Sequence, residues 1–194
     1  MKGIYIFLAD GFEDIEALAT NDVLRRAGLR TSLTSISDEP FVTSSHGITV
    51  GTDECLPFLG NGHDGTAEQD VLIFPGGMPG TKHLASNRRL MSLMKEHYAS
   101  GGTVAAICAA PGLVLSQLDS LEGKEMTCFD GFEDKLIAKG ARFTPRPAVT
   151  DGRIITGRSA GHAIAFGMEI LRKLKGEEVS SQVRQSLFLE TLPE

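Results

Sequence analysis

The run Thr-Val-Ala-Ala-Ile-Cys-Ala-Ala-Pro-Gly-Leu-Val-Leu-Ser-Gln-Leu, Thr103 to Leu118, passes from an apolar stretch straight into Cys108 and then into small residues and a helical pattern. Small side chains beside the cysteine permit a sharp strand-to-helix turn, a nucleophile elbow. Sulfur on such a turn sits at the carboxyl end of the sheet, the ligand side of an open α/β fold. The first N–H groups of the following helix lie close by and favour thiolate over thiol. The competing reading is a small buried hydrophobe, because free cysteine is commonly interior. Spacing alone leaves both open.

A second group that can do chemistry is Glu16. With Ile15 as zero and about 100° per residue, Ala19 falls near ~40°, Val23 near ~80°, Ala27 near ~120° and Leu24 near ~180°. Glu16 lands at about 100°, in the middle of that apolar sector. Glu13 projects to the same side but belongs to the first turn, where a carboxylate is a good helix start, and Asp14 faces away. An ionised carboxylate inside an apolar sector is costly, so Glu16 must be paired or protonated. A protonated Glu16 can donate a hydrogen bond to a thiolate. A snorkelling side chain or an ion pair with an arginine explains the same position equally well.

The third feature is Pro75-Gly76-Gly77-Met78-Pro79-Gly80. Its glycines let backbone amides approach a reacting centre. The amides of Gly77 and Ala109 together can steady an oxyanion or a sulfinate. An ordinary strand-to-helix turn uses the same residues. A phosphate loop does not fit, since neither G-x-x-x-x-G-K-[ST] nor G-x-G-x-x-G is present.

These groups need a scaffold. Apolar strand-like runs over Gly3 to Ala9, Leu29 to Ile36, Val71 to Phe74 and Thr103 to Ile107 suit strands covered on both faces. Helical patterns fall at about Glu13 to Ala27, Arg88 to Ser100, Ala110 to Leu118, Phe132 to Lys139, Ala160 to Leu174 and Glu177 to Leu189. The alternation predicts an α/β sandwich. Short strands are expected around Phe41 to Val50, followed by a surface loop through the polar run 60–65. Asp-Gly-Phe-Glu-Asp occurs twice, at Asp10 to Asp14 and Asp130 to Asp134, each time before a helical pattern. That is shared helix-start chemistry rather than a repeat architecture.

The chain of 194 residues is expected to form a single domain over 1–194. Hydrophobic residues at 41% and charged residues at 23% are globular values. Lys and Arg total 19 against 25 acidic residues, a net charge of −6, which gives no strong case for nucleic acid or an anionic membrane. The opening apolar run is too short to span a bilayer, and no signal-peptide pattern follows. Cys55, Cys108 and Cys128 are far apart and odd in number, which argues for a reducing, cytoplasmic setting and against a disulfide scaffold or zinc ribbon.

Together the opening strand with Gly-Phe-Glu-Asp-Ile-Glu, Asp22 to Gly28, Pro75-Gly76-Gly77, Ala105 to Pro111 and Ile155 to Arg158 resemble the ThiJ/PfpI superfamily, in particular its DJ-one branch, over nearly the whole chain. The resemblance implies a flavodoxin-like three-layer sandwich with a mostly parallel sheet, a homodimer, and no cofactor or metal. It assigns the reactive cysteine to Cys108, its protonated partner to Glu16, and the amide donors to Gly77 and Ala109. Its implied function is cofactor-free glyoxalase or deglycase action on methylglyoxal or glycated groups, with a small carbonyl compound or an oxidant as partner. A cysteine redox sensor or chaperone is the alternative; peptidase or amidase activity and thiamine-precursor synthesis stand further off.

The chain departs from the family pattern where several members place a histidine after the elbow helix: the position here is Phe129. Peptide hydrolysis by a Cys–His pair is thereby placed in doubt. His46 lies where the branch often carries an arginine near the dimer pocket, and His162 opens a helix at the same end of the sheet. Both read as surface or structural residues, Cys128 as an inert cysteine more than a second thiol, and Cys55 as structural.

Overall fold

The computed structural model describes residues 1–60 and 66–189. The chain opens on β1 (Ile4–Leu8) and α1 (Asp14–Arg26) and returns through β2 (Thr31–Ser35). It then makes a hairpin of β3 (Phe41–Thr43) and β4 (Thr49–Gly51) and adds the short strand β5 (Glu54–Cys55). The middle of the chain holds β6 (Val71–Phe74), α2 (Gly80–Ser86), α3 (Arg88–Ala99), β7 (Thr103–Ile107) and α4 (Ala110–Leu113). After these come β8 (Glu125–Met126), α5 (Glu133–Ile137), β9 (Arg142–Phe143), β10 (Ala148–Asp151), β11 (Ile154–Gly157) and α6 (Ala163–Ser186).

Among the described residues, seven strands form one sheet in the order β10-β11-β7-β6-β1-β2-β5. Its pairings are parallel except that between β10 and β11. Alternate side chains of each strand enter different cores. Phe7, Phe74 and Ala106 join one apolar cluster with Leu90 and Met94 of α3. Ile6, Ile73 and Ala105 join the other with Val23 and Leu24 of α1 and Phe166 and Ile170 of α6. Gly167 lets α1 and α6 lie close: a Cβ there would meet the Val23 Cβ at 3.2 Å. The result is the three-layer sandwich expected of alternating strands and helices. No helix among the described residues is long and apolar enough to cross a membrane.

The sheet's first strand has β2 on one side and β6 on the other. The direction of winding reverses there, which opens a crevice above the carboxyl ends of β1 and β6. The segments that carry Glu16, Gly77 and Cys108 follow β1, β6 and β7, three neighbours in the sheet.

Several expectations need correction. The helix read as continuous over Ala110 to Leu118 is α4 followed by a separate 3₁₀ turn at Leu115–Gln117. There the Ser116 hydroxyl donates to the Gly112 carbonyl at 2.6 Å and the Gln117 amide to the Leu113 carbonyl at 3.0 Å, side-chain bonds that accompany the tightening. The helices expected on either side of Gly176 abut as one element, broken by that glycine's φ of 79°. Helix α2 and strands β10 and β11 carried too few apolar positions or too short a run to be singled out. The zero of the helix wheel was also misplaced: Ile15 is 54% exposed, whereas Asp14 is buried rather than facing away. Apart from Gly60, the expected surface loop lies outside the described residues, as does His63.

At the opposite end of the sheet His97 is fully buried. Its Nε2 lies 3.0 Å from the Asp70 carbonyl and 3.1 Å from the Thr103 carbonyl, while Nδ1 is 3.1 Å from the Met1 amine. Two carbonyl acceptors at Nε2 and an ammonium donor at Nδ1 select the neutral Nε2–H tautomer. Burial and the neighbouring amine push His97 down to about 4 from its ordinary 6.5. The folded value lies below the unfolded one, so this contribution to stability is complete above about pH 6.5 and is lost as pH falls toward 4, by at most about 3 kcal/mol. Urea unfolding followed from about pH 7 to pH 4 should therefore show a steeper acid loss for the parent than for His97→Asn; parallel pH slopes would refute the assignment.

Candidate active site

Strand β7 hands directly to Cys108, whose φ of 64° lies in the left-handed region. A residue with a Cβ is disfavoured there by roughly 1–2 kcal/mol, so neighbouring bonds must hold it. Two are in place. The Cys108 N–H donates to the Gly157 carbonyl at the end of β11 at 3.0 Å, and the Phe129 N–H donates to the Cys108 carbonyl at 2.8 Å. The sharp turn expected at this cysteine is present, with the thiol half-buried at the carboxyl end of the sheet.

Glu16 approaches from α1. That helix is capped by the Glu13 carboxylate, which accepts the Glu16 N–H at 2.8 Å. Glu16 itself is 1% exposed. Its Oε2 accepts the Gly76 N–H at 2.7 Å, and its carboxyl and the Cys108 side chain both lie against Gly76, so that each shifts the other's titration. The enclosed Oε1 has no hydrogen-bond partner among the described residues. The anomaly on the helix wheel and the elbow cysteine thus meet, and the two alternatives for Glu16, snorkelling and an arginine partner, do not apply.

Gly76 fits between them because it has no side chain. A Cβ there would lie 2.5 Å from Glu16 Oε2 and 2.6 Å from Cys108 Cβ. Gly77, at φ 90°, is pressed against the turn before α1: a Cβ would lie 2.5 Å from the Gly11 carbonyl oxygen. The Glu13 N–H donates to the Gly76 carbonyl at 3.0 Å and fixes the loop to the helix start. In this arrangement the backbone amides of Gly77 and Ala109 lie on the Cys108 side of the site and favour its thiolate.

The electrostatics qualify the expectation of a thiol held below its ordinary value. Burial, the Glu16 charge and the Glu16 hydrogen bond push Cys108 up to about 12, against the pull of the Ala109 and Gly77 amides. Burial likewise pushes Glu16 up to about 7. The two groups behave as one acid with two sites, holding one proton and one negative charge between these values. With the proton on sulfur, the carboxylate opposes thiolate. With the proton on Glu16, that charge is gone, its O–H donates to sulfur, and the two amides face a thiolate opposed only by burial. Thiolate therefore belongs to the state in which Glu16 is neutral.

The thiol opens into a cavity of about 430 Å³ lined by Glu13, Glu16, Gly77, Met78, Ala109, Phe129, Phe132 and Ser159–Gly161. No described histidine lines it. His162 bonds the Ser159 hydroxyl through Nδ1 at 2.9 Å, and His46, largely exposed on the β3–β4 turn, pairs with Asp14. Despite its burial, Asp14 is held below the ordinary carboxylate range by Ser44 and His46, and the Asp14 hydrogen bond raises His46. Glu13, Asp14 and His46 bring three ligand atoms within 4.8 Å of one another, but the cap and the ion pair already employ these groups. Cys128 is fully buried in the core, which pushes it up to about 12, and Cys55 is also buried. Sequence reasoning missed Gly76 as the Glu16 donor and Gly157 as the acceptor holding the elbow. The alternating residues around Asp151-Gly152, a hairpin signal, mark the hairpin that ends at Gly157.

A model described as the DJ-1/PfpI family matches residues 2–173. The chain is 33% identical to Protein DJ-1 homolog A of Arabidopsis thaliana over 99% of its own length. It spans 48% of that relative and 42% of Protein DJ-1 homolog B of the same plant, about half of each. It is 32% identical to the Caenorhabditis elegans protein named glutathione-independent glyoxalase DJR-1.2, over 91% of this chain and 90% of that one. Among solved structures, oxidized Toxoplasma gondii DJ-1 superposes with a TM-score of 0.86 at 27% identity, covering 97% of this chain and 98% of that one.

The raised Glu16 value has a sign that can be measured. Its folded value of about 7 exceeds the unfolded 4.5, so its contribution is complete below about pH 4.5 and is lost as pH rises through 7, by up to about 3 kcal/mol. In Glu16→Gln this dependence should vanish, so the urea midpoint of the variant should gain on the parent between about pH 5 and pH 8. A constant difference across that range would show that Glu16 is not protonated on folding.

Proposed function

The chain belongs to the DJ-1/PfpI family, and from that premise we propose that it is a cofactor-free, thiol-dependent glyoxalase or deglycase acting on a small 2-oxoaldehyde such as methylglyoxal or on glycated groups. The observation that carries this reading is the enclosed Glu16 carboxyl, held by the Gly76 amide and lying with the Cys108 side chain against that glycine, with the Gly77 and Ala109 amides favouring thiolate. The relative named as a glutathione-independent glyoxalase supports it.

In the proposed reaction the Cys108 sulfur adds to the aldehyde carbon. The carbon–sulfur bond forms, the π pair moves to oxygen beside the two amides, and the Glu16 proton neutralises it. The Glu16 carboxylate then takes the hydrogen of that carbon as a proton and returns it to the neighbouring carbonyl carbon through an enediol. The hydroxyl proton passes to the adjacent oxygen, which leaves a thioester of a 2-hydroxy acid. Water cleaves the thioester, releases lactate and restores the thiol. The sum is methylglyoxal plus water to lactate, with no outside oxidant or reductant.

A second reading, a redox sensor, has one specific observation in its favour: the same two amides suit the oxygens of a sulfinate on Cys108. Purified protein should convert methylglyoxal to lactate, with losses of at least about 100-fold in Cys108→Ser and Glu16→Gln. Equal rates in parent and Cys108→Ser would overturn the proposal. No turnover, together with a gain of two oxygens confined to Cys108 after mild peroxide, would favour the sensor.

The reading includes a homodimer in a reducing, cytoplasmic setting, supported by the free cysteines and by the exposed apolar side chains of Ile15, beside Glu16 in the chain, and Ile48 on the β3–β4 turn. Light scattering should return twice the 20.8 kDa chain mass, and a monomer would remove this part of the proposal.

A further inference from the structure

We propose that the cavity over Cys108 selects carbonyl compounds bearing a bulky, uncharged apolar group, with aryl 2-oxoaldehydes preferred over methylglyoxal, and that Phe129 and Met78 set this preference. The inference rests on the carbonyl-substrate reading above and names the part of that class the site takes best.

Three observations carry it. First, beside the cysteine only Glu13, Glu16 and Ser159 among the lining residues have polar side chains; the remaining wall is Met78, Phe129, Phe132 and small residues. Glu16 is committed to the thiol and Glu13 to the helix cap, so the polar groups serve the reacting end and the scaffold. Second, among the described residues no Lys, Arg or His lines the cavity, whereas two glutamates do. Carboxylate- or phosphate-bearing substrates would meet repulsion with no compensating cation. Third, Phe129 is 46% exposed and Met78 is 39% exposed, large apolar groups left unburied at the mouth of the reactive site.

Their placement is fixed rather than incidental. The Phe129 N–H is bonded to the Cys108 carbonyl, so the backbone that carries the ring is tied to the elbow that carries the sulfur. Met78 follows Gly77, whose backbone is pressed against the Gly11 carbonyl. A methyl substituent covers little of a 430 Å³ cavity, whereas an aryl ring can bury its faces against Phe129 and Met78. Burying the added ring carbons corresponds to a preference of about 10- to 100-fold in rate at low concentration.

Alkylation of Cys108 by 2-bromoacetophenone and by bromoacetone reads the pocket without turnover. In each case a carbon–sulfur bond forms, bromide leaves and the thiol proton goes to solvent. Each second-order rate is divided by that of the same reagent with N-acetylcysteine, and peptide mass confirms the site. The parent should favour the aryl reagent by at least about tenfold. Phe129→Ser should bring the ratio toward one, and Phe129→Leu, which keeps bulk, should retain part of it. Equal corrected rates in the parent, or a ratio unmoved in Phe129→Ser, would overturn the inference. In parallel, kcat/KM for phenylglyoxal should exceed that for methylglyoxal. An aryl preference in alkylation with no turnover of either aldehyde would sink the glyoxalase reading and leave the pocket assignment standing. Turnover of both aldehydes with no preference in either assay would sink this inference alone.

Discussion

Glu16 and Cys108 are two acids enclosed together with a single proton between them in the neutral range, and the surrounding structure is organised by that constraint. Neither group can take its ordinary charge without the other yielding. The carboxyl is lodged where water cannot solvate it, with the Gly76 amide on one oxygen and no hydrogen-bond partner on the other among the described residues. The glycine must remain bare, because a methyl group there would overlap both partners. The helix that delivers Glu16 is capped by Glu13, whose own backbone amide grips the glycine loop. One short loop thus sets the distance between acid and nucleophile.

Much of this was readable from residue types, for identifiable reasons. Val71–Phe74 is wholly apolar and Thr103–Ile107 apolar after its first residue because both faces of those strands are covered, and their bounds follow from composition alone. Glu16 stands out because a carboxylate inside an apolar sector demands an explanation, and it is buried even though Ile15, the zero of that sector, is exposed. What escaped was three-dimensional. Gly76 donates to Glu16 across 60 positions in the chain, and Gly157 accepts from Cys108 through strand pairing, which leaves no local signature. The direction of the thiol's shift was also beyond reach, since it depends on which partner holds the proton.

The two Asp-Gly-Phe-Glu-Asp segments make the same point from the other side. Both form a turn with the glycine at positive φ, 84° at Gly11 and 87° at Gly131, and both lead into a helix. Their surroundings differ: Phe12 is fully buried, whereas Phe132 is only partly buried and lines the cavity. The same five residues give the same glycine turn but different helix starts: the Glu13 carboxylate caps α1, whereas α5 begins one motif position earlier, at Glu133, with no side-chain cap, so that one copy supports the acid and the other the wall facing it.

The backbone at Cys108 has a cost that extends past chemistry. Glycine would sit at a φ of 64° without strain and asparagine with little, so the elbow is a point where the working residue is the less comfortable occupant. Screening variants of this chain for heat tolerance alone would enrich replacements there and return a sturdier, inert protein. The turn thus ties competence to fragility at one position.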